Sequence, residues 1–221
     1  MSTLELELQV LKDNLCDMLA LVQNQLVKCR ESIETKDVEL AEDVIDAEKR
    51  VNVQEIAIDR DCENILALYT PVATDLRFVL ATLKITNDLE RIGDNAKSLA
   101  RFIRSNIKKV PDSLFKQYNL EGMLEVLIDM LTDMGEALRK SDTKLARKTA
   151  KKDELLNEHK KKAFKTTIEL VKKHPDEART LLSLFAISRN LERAGDLTKN
   201  ISEEIVFHIE AKVLKHKKDR M

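Results

Sequence analysis

The chain has 221 residues and a formal net charge of -1, with 43% hydrophobic and 35% charged residues but only 4 Gly and 3 Pro. So few turn residues exclude a many-stranded fold and fit long helices, and the near-neutral balance gives no overall attraction for nucleic acid. Cys16, Cys29 and Cys62 have neither CxxC nor zinc spacing, which leaves them as small buried apolar residues of a reducing compartment.

The first helix is predicted over residues 4–33, where Leu8, Leu11, Leu15, Met18, Leu19, Val22 and Leu26 recur at three- and four-residue steps. Asp37 is the expected N-cap of a second helix reaching Tyr69, carried by Val44, Val51, Ile58, Cys62 and Ile65. Pro71 stops it and opens a third helix running to about Lys108, since Pro is tolerated in a first turn. Residues 108–113 form the predicted linker. A fourth helix follows over 113–139 on the stripe Met123, Leu127, Met130, Leu131, Met134 and Leu138. Ser141 or Asp142 caps a fifth helix reaching His174, and Pro175 opens the sixth. His174 and His208 read as helix-end or helix-surface residues. The expected fold is all-α: two tandem antiparallel three-helix bundles, over residues 1–109 and 110–221.

No apolar run approaches the ~20 residues needed to span a membrane, and the start, Met-Ser-Thr-Leu-Glu-Leu-Glu, lacks the pattern of a signal peptide. A soluble, cytoplasmic protein is expected. Charge is nonetheless uneven. Over residues 139–173 Lys/Arg outnumber Asp/Glu 13 to 5, and Lys212 to Arg220 is basic as well, so either a solvated face or a docking surface for an acidic partner or the membrane is implied.

The two bundles are copies. Leu89-Glu90-Arg91-Ile92-Gly93-Asp94 returns as Leu191-Glu192-Arg193-Ala194-Gly195-Asp196, and Ile85/Ile187, Lys97/Lys199, Leu99/Ile201 and Ile103/Ile205 keep the same offset of 102 residues. On the third helix Ile85, Leu89, Ile92, Ala96, Leu99 and Ile103 form a core seam, and Glu90 and Asp94 lie roughly 165° from it. They are expected to face outward, as are Glu192, Asp196, Asn200 and Glu203 on the sixth helix. Acids at i and i+4 repel, and a mid-helix Gly costs ~1 kcal/mol relative to Ala. Both penalties recur at equivalent places, and each Gly would let an ion or another backbone come close to the Asp.

A second acidic row, Glu48, Asn52, Glu55 and Asp59, lies along the margin of the second helix; the matching places of the fifth hold Asp153, Asn157, Lys160 and Phe164. Converging rows of oxygen donors suit Mg, Mn, Ca or iron better than a thiolate zinc site. A di-iron oxidase is disfavoured, because none of His159, His174, His208 or His216 follows a Glu by three residues. No Gly-rich phosphate loop, nucleophile elbow or Cys/His pair is present either, so no catalytic residue is assigned.

Asp88 through Asp94 and Asn190 through Asp196 resemble the paired signatures of the phosphate-uptake regulator family, PhoU. Pro71-Val72-Ala73-Thr74-Asp75-Leu76-Arg77 and the stretch from Val44 through Glu48, Asn52 and Glu55 are similar to that family too, over essentially the whole length. The resemblance implies approximate twofold symmetry, a homodimer, and surface metal ions, with iron, zinc, manganese or magnesium as the candidates. The implied ligands are Glu48, Asn52, Glu55, Glu90 and Asp94 in the first copy and Asp153, Asn157, Glu192, Asp196 and Asn200 in the second. It further implies a negative regulator linking the ATPase of the phosphate ABC transporter to a sensor histidine kinase, with membrane contact through partners at most. The chain departs from the family pattern at Asn52 and Asn157, which lower the ligand charge, at Ser98 opposite Asn200, and at Lys160 opposite Glu55. The first site has the stronger case. The alternatives are an accessory of a phosphate permease and a metal-free helical scaffold.

Overall fold

The structure, a computed structural model, describes residues 2–212. The basic run from Lys212 to Arg220 lies, from residue 213 on, outside the described residues, as does His216. The described residues fold into helices and no strand: α1 (Thr3–Thr35), α2 (Val38–Tyr69), α3 (Ala73–Asn106), α4 (Asp112–Tyr118), α5 (Leu120–Lys140), α6 (Thr143–Ala150), α7 (Asp153–Lys173) and α8 (Ala178–Glu210).

Short polar side chains cap the starts of α1, α2 and α6. Ser2 and Glu5 form a capping box on α1, Asp37 accepts from Glu39 N at 2.9 Å to start α2, and Asp142 accepts from Lys144 N and Leu145 N to start α6. Both prolines sit earlier than expected. Pro71 precedes the N-cap Val72 of α3, between Thr70 and Ala73 with φ of 44° and 47°. Pro175 opens a 3-10 turn (Pro175–Glu177) that leads into α8.

Two of the expected long helices are broken. The fourth divides at Asn119, held at φ 50°, a left-handed conformation that Asn tolerates better than most residues. The break turns Tyr118 inward, where its hydroxyl shares a 2.8 Å hydrogen bond with Thr167 and donates to Leu181 O, tying α4 to α7 and α8. The fifth divides at Lys151–Lys152, where Thr149 and Lys152 both reach the Asp133 carboxylate of α5, at 2.6 and 2.7 Å.

Helices α1, α2 and α3 form one three-helix unit; α4–α5, α6–α7 and α8 form the other. The units share one core, because α3 packs along α8 and α1 along α5. The predicted α3 seam is buried in full, with Ile85, Leu89, Ile92, Ala96, Leu99 and Ile103 each at most 1% exposed. All three cysteines are free and buried, and burial pushes the Cys62 thiol up to about 12. No helix among the described residues is long and apolar enough to cross a membrane.

His208 is not a surface residue. It is 8% exposed, packed with its ring tilted at 5.4 Å against Phe78 of α3, and its carbonyl accepts from Arg77 Nε. The last turns of α8 have a second buried face, against α3, which a single-seam reading misses.

Candidate functional site

The repeated motif stands on α3 and α8, the two helices at the centre of the molecule, and each is flanked by the helix that carries the second acidic row. The expectation that the motif acids all face outward holds for only half of them. Asp94 and Asp196 are exposed. Glu90 is half-buried, and Glu192 is 5% exposed. Only part of the face opposite the seam is solvent here: α2 covers one flank of it on α3, and α7 does so on α8.

The two sites differ electrostatically. In the first, Glu48 is buried, bonds Asn52 Nδ2 at 2.8 Å and pairs with Lys97 at 2.6 Å. Burial would raise its carboxyl, but the hydrogen bonds from Lys97 and Asn52 outweigh this and hold it below the usual range. Glu55 is raised by burial and by the neighbouring charges of Asp59 and Asp94. Glu90 is raised by burial and then by Asp94, Glu55 and Glu48. One lysine therefore faces Glu48, Glu55, Glu90 and Asp94, and mutual repulsion remains among the acids.

In the second site Lys160 stands where the first has Glu55, and it forms an ion pair with Glu192. Lys199 lies 3.6 Å from Asp153, which also holds the Asn157 side chain at 3.1 Å. Burial raises the Asp153 carboxyl most and Asp196 adds to this, and the net effect outweighs the lowering by Lys199. Two lysines here face three acids, Asp153, Glu192 and Asp196. Asn200 is half-buried on the next turn of α8.

Lys160 was legible as a departure at the Glu55 position; the pairing of Lys97 and Lys199 was not. Lys97 and Lys199 share the repeat offset, and each pairs with the first acid of the adjoining row. The signal was the shared offset itself, which without the helix packing had no partner to point to.

The glycines also have a packing role. A Cβ on Gly93 would meet Gln25 Oε1 at 3.2 Å and Val51 Cγ1 at 3.4 Å, and one on Gly195 would meet Leu156 Cδ1 at 2.3 Å and Asp153 Oδ1 at 3.0 Å. Each lets a neighbouring helix approach.

As a cation site the first copy fits in its chemistry: oxygen donors only, acids that raise one another, and a buried Asn52 Oδ1 with no hydrogen-bond partner. In the second copy Asp153 Oδ1 is similarly without a partner, but Lys160 and Lys199 already pair with two of the three acids there, Glu192 and Asp153. Among the described residues no three His, Cys, Asp or Glu side chains converge closely enough to hold an ion as they stand. At Glu48 a cation would take the place held by Lys97.

The Lys97–Glu48 pair leads to a stability prediction. Lys97→Met strands a buried carboxylate and is expected to cost about 1–2 kcal/mol in urea denaturation, less than for a fully buried pair because the lysine is partly solvated. Glu48→Gln added to Lys97→Met is expected to restore most of the loss; an additive double variant would show that the pair contributes nothing.

These features define an internally duplicated, all-helical bundle protein whose halves each set an acid pair of the central helix against a polar row of its neighbour. A family model described as the PhoU domain matches residues 15–103 and 120–205, and the chain belongs to the PhoU family. It is 31% identical over 210 residues to the phosphate-specific transport system accessory protein PhoU homolog of Aquifex aeolicus, covering 95% of this chain and 94% of that one. It is 28% identical to the phosphate-specific transport system accessory protein PhoU of Escherichia coli, covering 95% of this chain and 86% of that one. Among solved structures it resembles PhoU from Pseudomonas aeruginosa, with a TM-score of 0.88 and 27% identity over 94% of this chain and 99% of that one. It also resembles the phosphate transport system regulatory protein PhoU from Streptococcus pneumoniae, with a TM-score of 0.83 and 27% identity over 96% of this chain and 99% of that one.

Proposed function

We propose that this chain is a non-enzymatic, cytoplasmic regulator of phosphate uptake and phosphate-starvation signalling. In this reading it is a homodimer that links the ATPase of a phosphate ABC transporter to a sensor histidine kinase and restrains import when phosphate is plentiful. The observation that carries the reading is similarity along the whole length, 31% identity over 95% of this chain, to a relative named as a phosphate-specific transport accessory protein.

Deleting the gene and following phosphate-starvation reporters and phosphate uptake in high phosphate tests it. Derepressed reporters and raised uptake are expected; unchanged reporters together with unchanged uptake would reject the regulator. Altered uptake with silent reporters would point instead to the accessory of a permease.

The cation site is part of the proposal for the first copy only, with Glu48, Asn52, Glu55, Glu90 and Asp94 as the residues that would hold a hard cation. Bound there, an ion would neutralise the acids and fix α2 against α3. The metal-free scaffold is favoured at the second copy, where lysines already do this. Metal content is expected to fall in a Glu90→Ala/Asp94→Ala variant and to stay unchanged in Glu192→Ala/Asp196→Ala. Equal content in wild type and the first variant would sink the ligand assignment.

A further inference from the structure

The duplication lets each exposed row be compared with its own counterpart. On α2 the row that begins with Glu48 and Asn52 continues through Glu55, Asp59 and Glu63; on α7 the row that begins with Asp153 and Asn157 continues through Lys160, Phe164 and Ile168. Acids in one copy are thus a cation and two large apolar side chains in the other. These side chains project: Phe164 is 51% and Ile168 41% exposed, and across from them on α8 Leu182 is 56% exposed. The Phe164 and Phe185 rings lie 5.5 Å apart, so the apolar residues of α7 and α8 form one strip.

Exposed cations line both margins of the strip. Lys161, Lys165 and Lys172 stand on α7 within one turn of Phe164 or Ile168, and Arg179 and Arg189 stand within one turn of Leu182 or Phe185 on α8. An apolar stripe bordered by Lys and Arg is the pattern of a surface that lies in the headgroup region of a membrane, with the aliphatic stems reaching down and the charges staying at phosphate level. In the first copy Asp59 and Glu63 make the α2 half of the corresponding stripe acidic, while Leu80, the counterpart of Leu182, is 40% exposed on α3; the apolar α7 row is what the second copy adds.

We propose that the α7–α8 strip docks directly on an anionic lipid bilayer, a surface independent of the cation site and of the regulatory reading. The charge distribution favours a bilayer over an acidic partner helix. Lys144, Lys148 and Lys151 of the same basic stretch, on α6 and at the break before α7, are exposed as well. Within that stretch Asp142 caps α6 and Asp153 is buried, and four of the 13 cations, Lys140, Arg147, Lys152 and Lys160, are held in ion pairs, which leaves nine cations against three acids. A broad plane of negative headgroups meets such a field; a single helix meets its edge.

Co-sedimentation of the full chain with vesicles of phosphatidylcholine, with and without about one-third phosphatidylglycerol, tests the proposal. Binding is expected to the anionic vesicles only and to weaken at high salt. Phe164→Asp/Ile168→Glu installs the residue types of the first copy and is expected to weaken binding by at least about tenfold at unchanged helicity. Lys161→Glu/Lys165→Glu, both at exposed positions, is expected to do the same should the first variant lose its fold. No binding to anionic vesicles, equal binding to neutral ones, or full binding by the folded variants would overturn the proposal. So would binding of a soluble Glu- and Leu-patterned helical peptide at the strip in place of vesicles, which would assign the surface to a protein partner.

Discussion

Acidification to about pH 4.5 is expected to remove roughly 2–3 kcal/mol of folding stability through His208 alone. Burial holds its imidazole down at about 4 against an ordinary 6.5, with Lys12 and Arg77 lowering it further and the Glu204 backbone offsetting part of this. The folded protein therefore binds the proton more weakly than the unfolded chain. Stability from this residue is complete above about pH 6.5, falls as the pH drops below it, and is lost once the pH has passed about 4. Charging the ring strains the contact between Phe78 of α3 and the end of α8, so the loss falls on the joint between the two units. Glu48 and Asp133, both held low by lysine hydrogen bonds, lose their contribution only in the carboxylate range. Glu55, Glu90 and Asp153, raised by burial and neighbouring acids, act in the opposite sense there. Urea denaturation of wild type and His208→Gln at pH 7, 5.5 and 4.5 separates these contributions. The variant is expected to keep between pH 7 and 5.5 only the slope that His159 contributes, its ring being held low by burial and Lys162, and a slope equal to that of wild type would remove His208 as the cause.

The architecture was legible because its signals are redundant. The α3 seam repeats over six apolar positions, and the same register returns on α8, so one helix checks the other. The breaks at Asn119 and at Lys151–Lys152 were not legible. Asn119 interrupts a continuous stripe with a single polar residue, and neither lysine carries any local preference for a turn; both breaks exist because of what Tyr118, Thr149 and Lys152 reach on other helices. The same limit applied at the site. Helical periodicity found the acids and their rows, but it assigned one core direction to α3 and α8. Each in fact packs on several sides, which is why Glu192 and His208 are buried. Ion pairing across helices, as in Lys97–Glu48 and Lys160–Glu192, needs the neighbour to be known.

The repeated glycines give the sharpest separation of packing from ligand binding, because one motif occupies two different surroundings. Replacing Gly by Ala inside a helix gains ~1 kcal/mol in propensity. At Gly195 the new methyl would lie 2.3 Å from Leu156 Cδ1, and Leu156 is fully buried with nowhere to retreat. Overpacking of this kind costs about 1–3 kcal/mol, so Gly195→Ala is expected to be net destabilising by about 1–2 kcal/mol and Gly195→Val by about 3 kcal/mol or more. At Gly93 the nearest atom is Gln25 Oε1 at 3.2 Å, an oxygen with no hydrogen-bond partner to lose, on a buried side chain that needs to give by only a few tenths of an ångström while its Nε2 keeps its bond to Val44 O. Gly93→Ala is therefore expected to fall within about 0.5 kcal/mol of wild type, the propensity gain offsetting a small shift of Gln25. Thermal and urea unfolding of the two Ala variants measure the difference directly. Equal losses at both positions would contradict the packing account, since only the surroundings of the two glycines differ. At both positions helix packing already takes up the space beside the glycine, loosely through Gln25 and Val51 at Gly93 and tightly through Leu156 at Gly195.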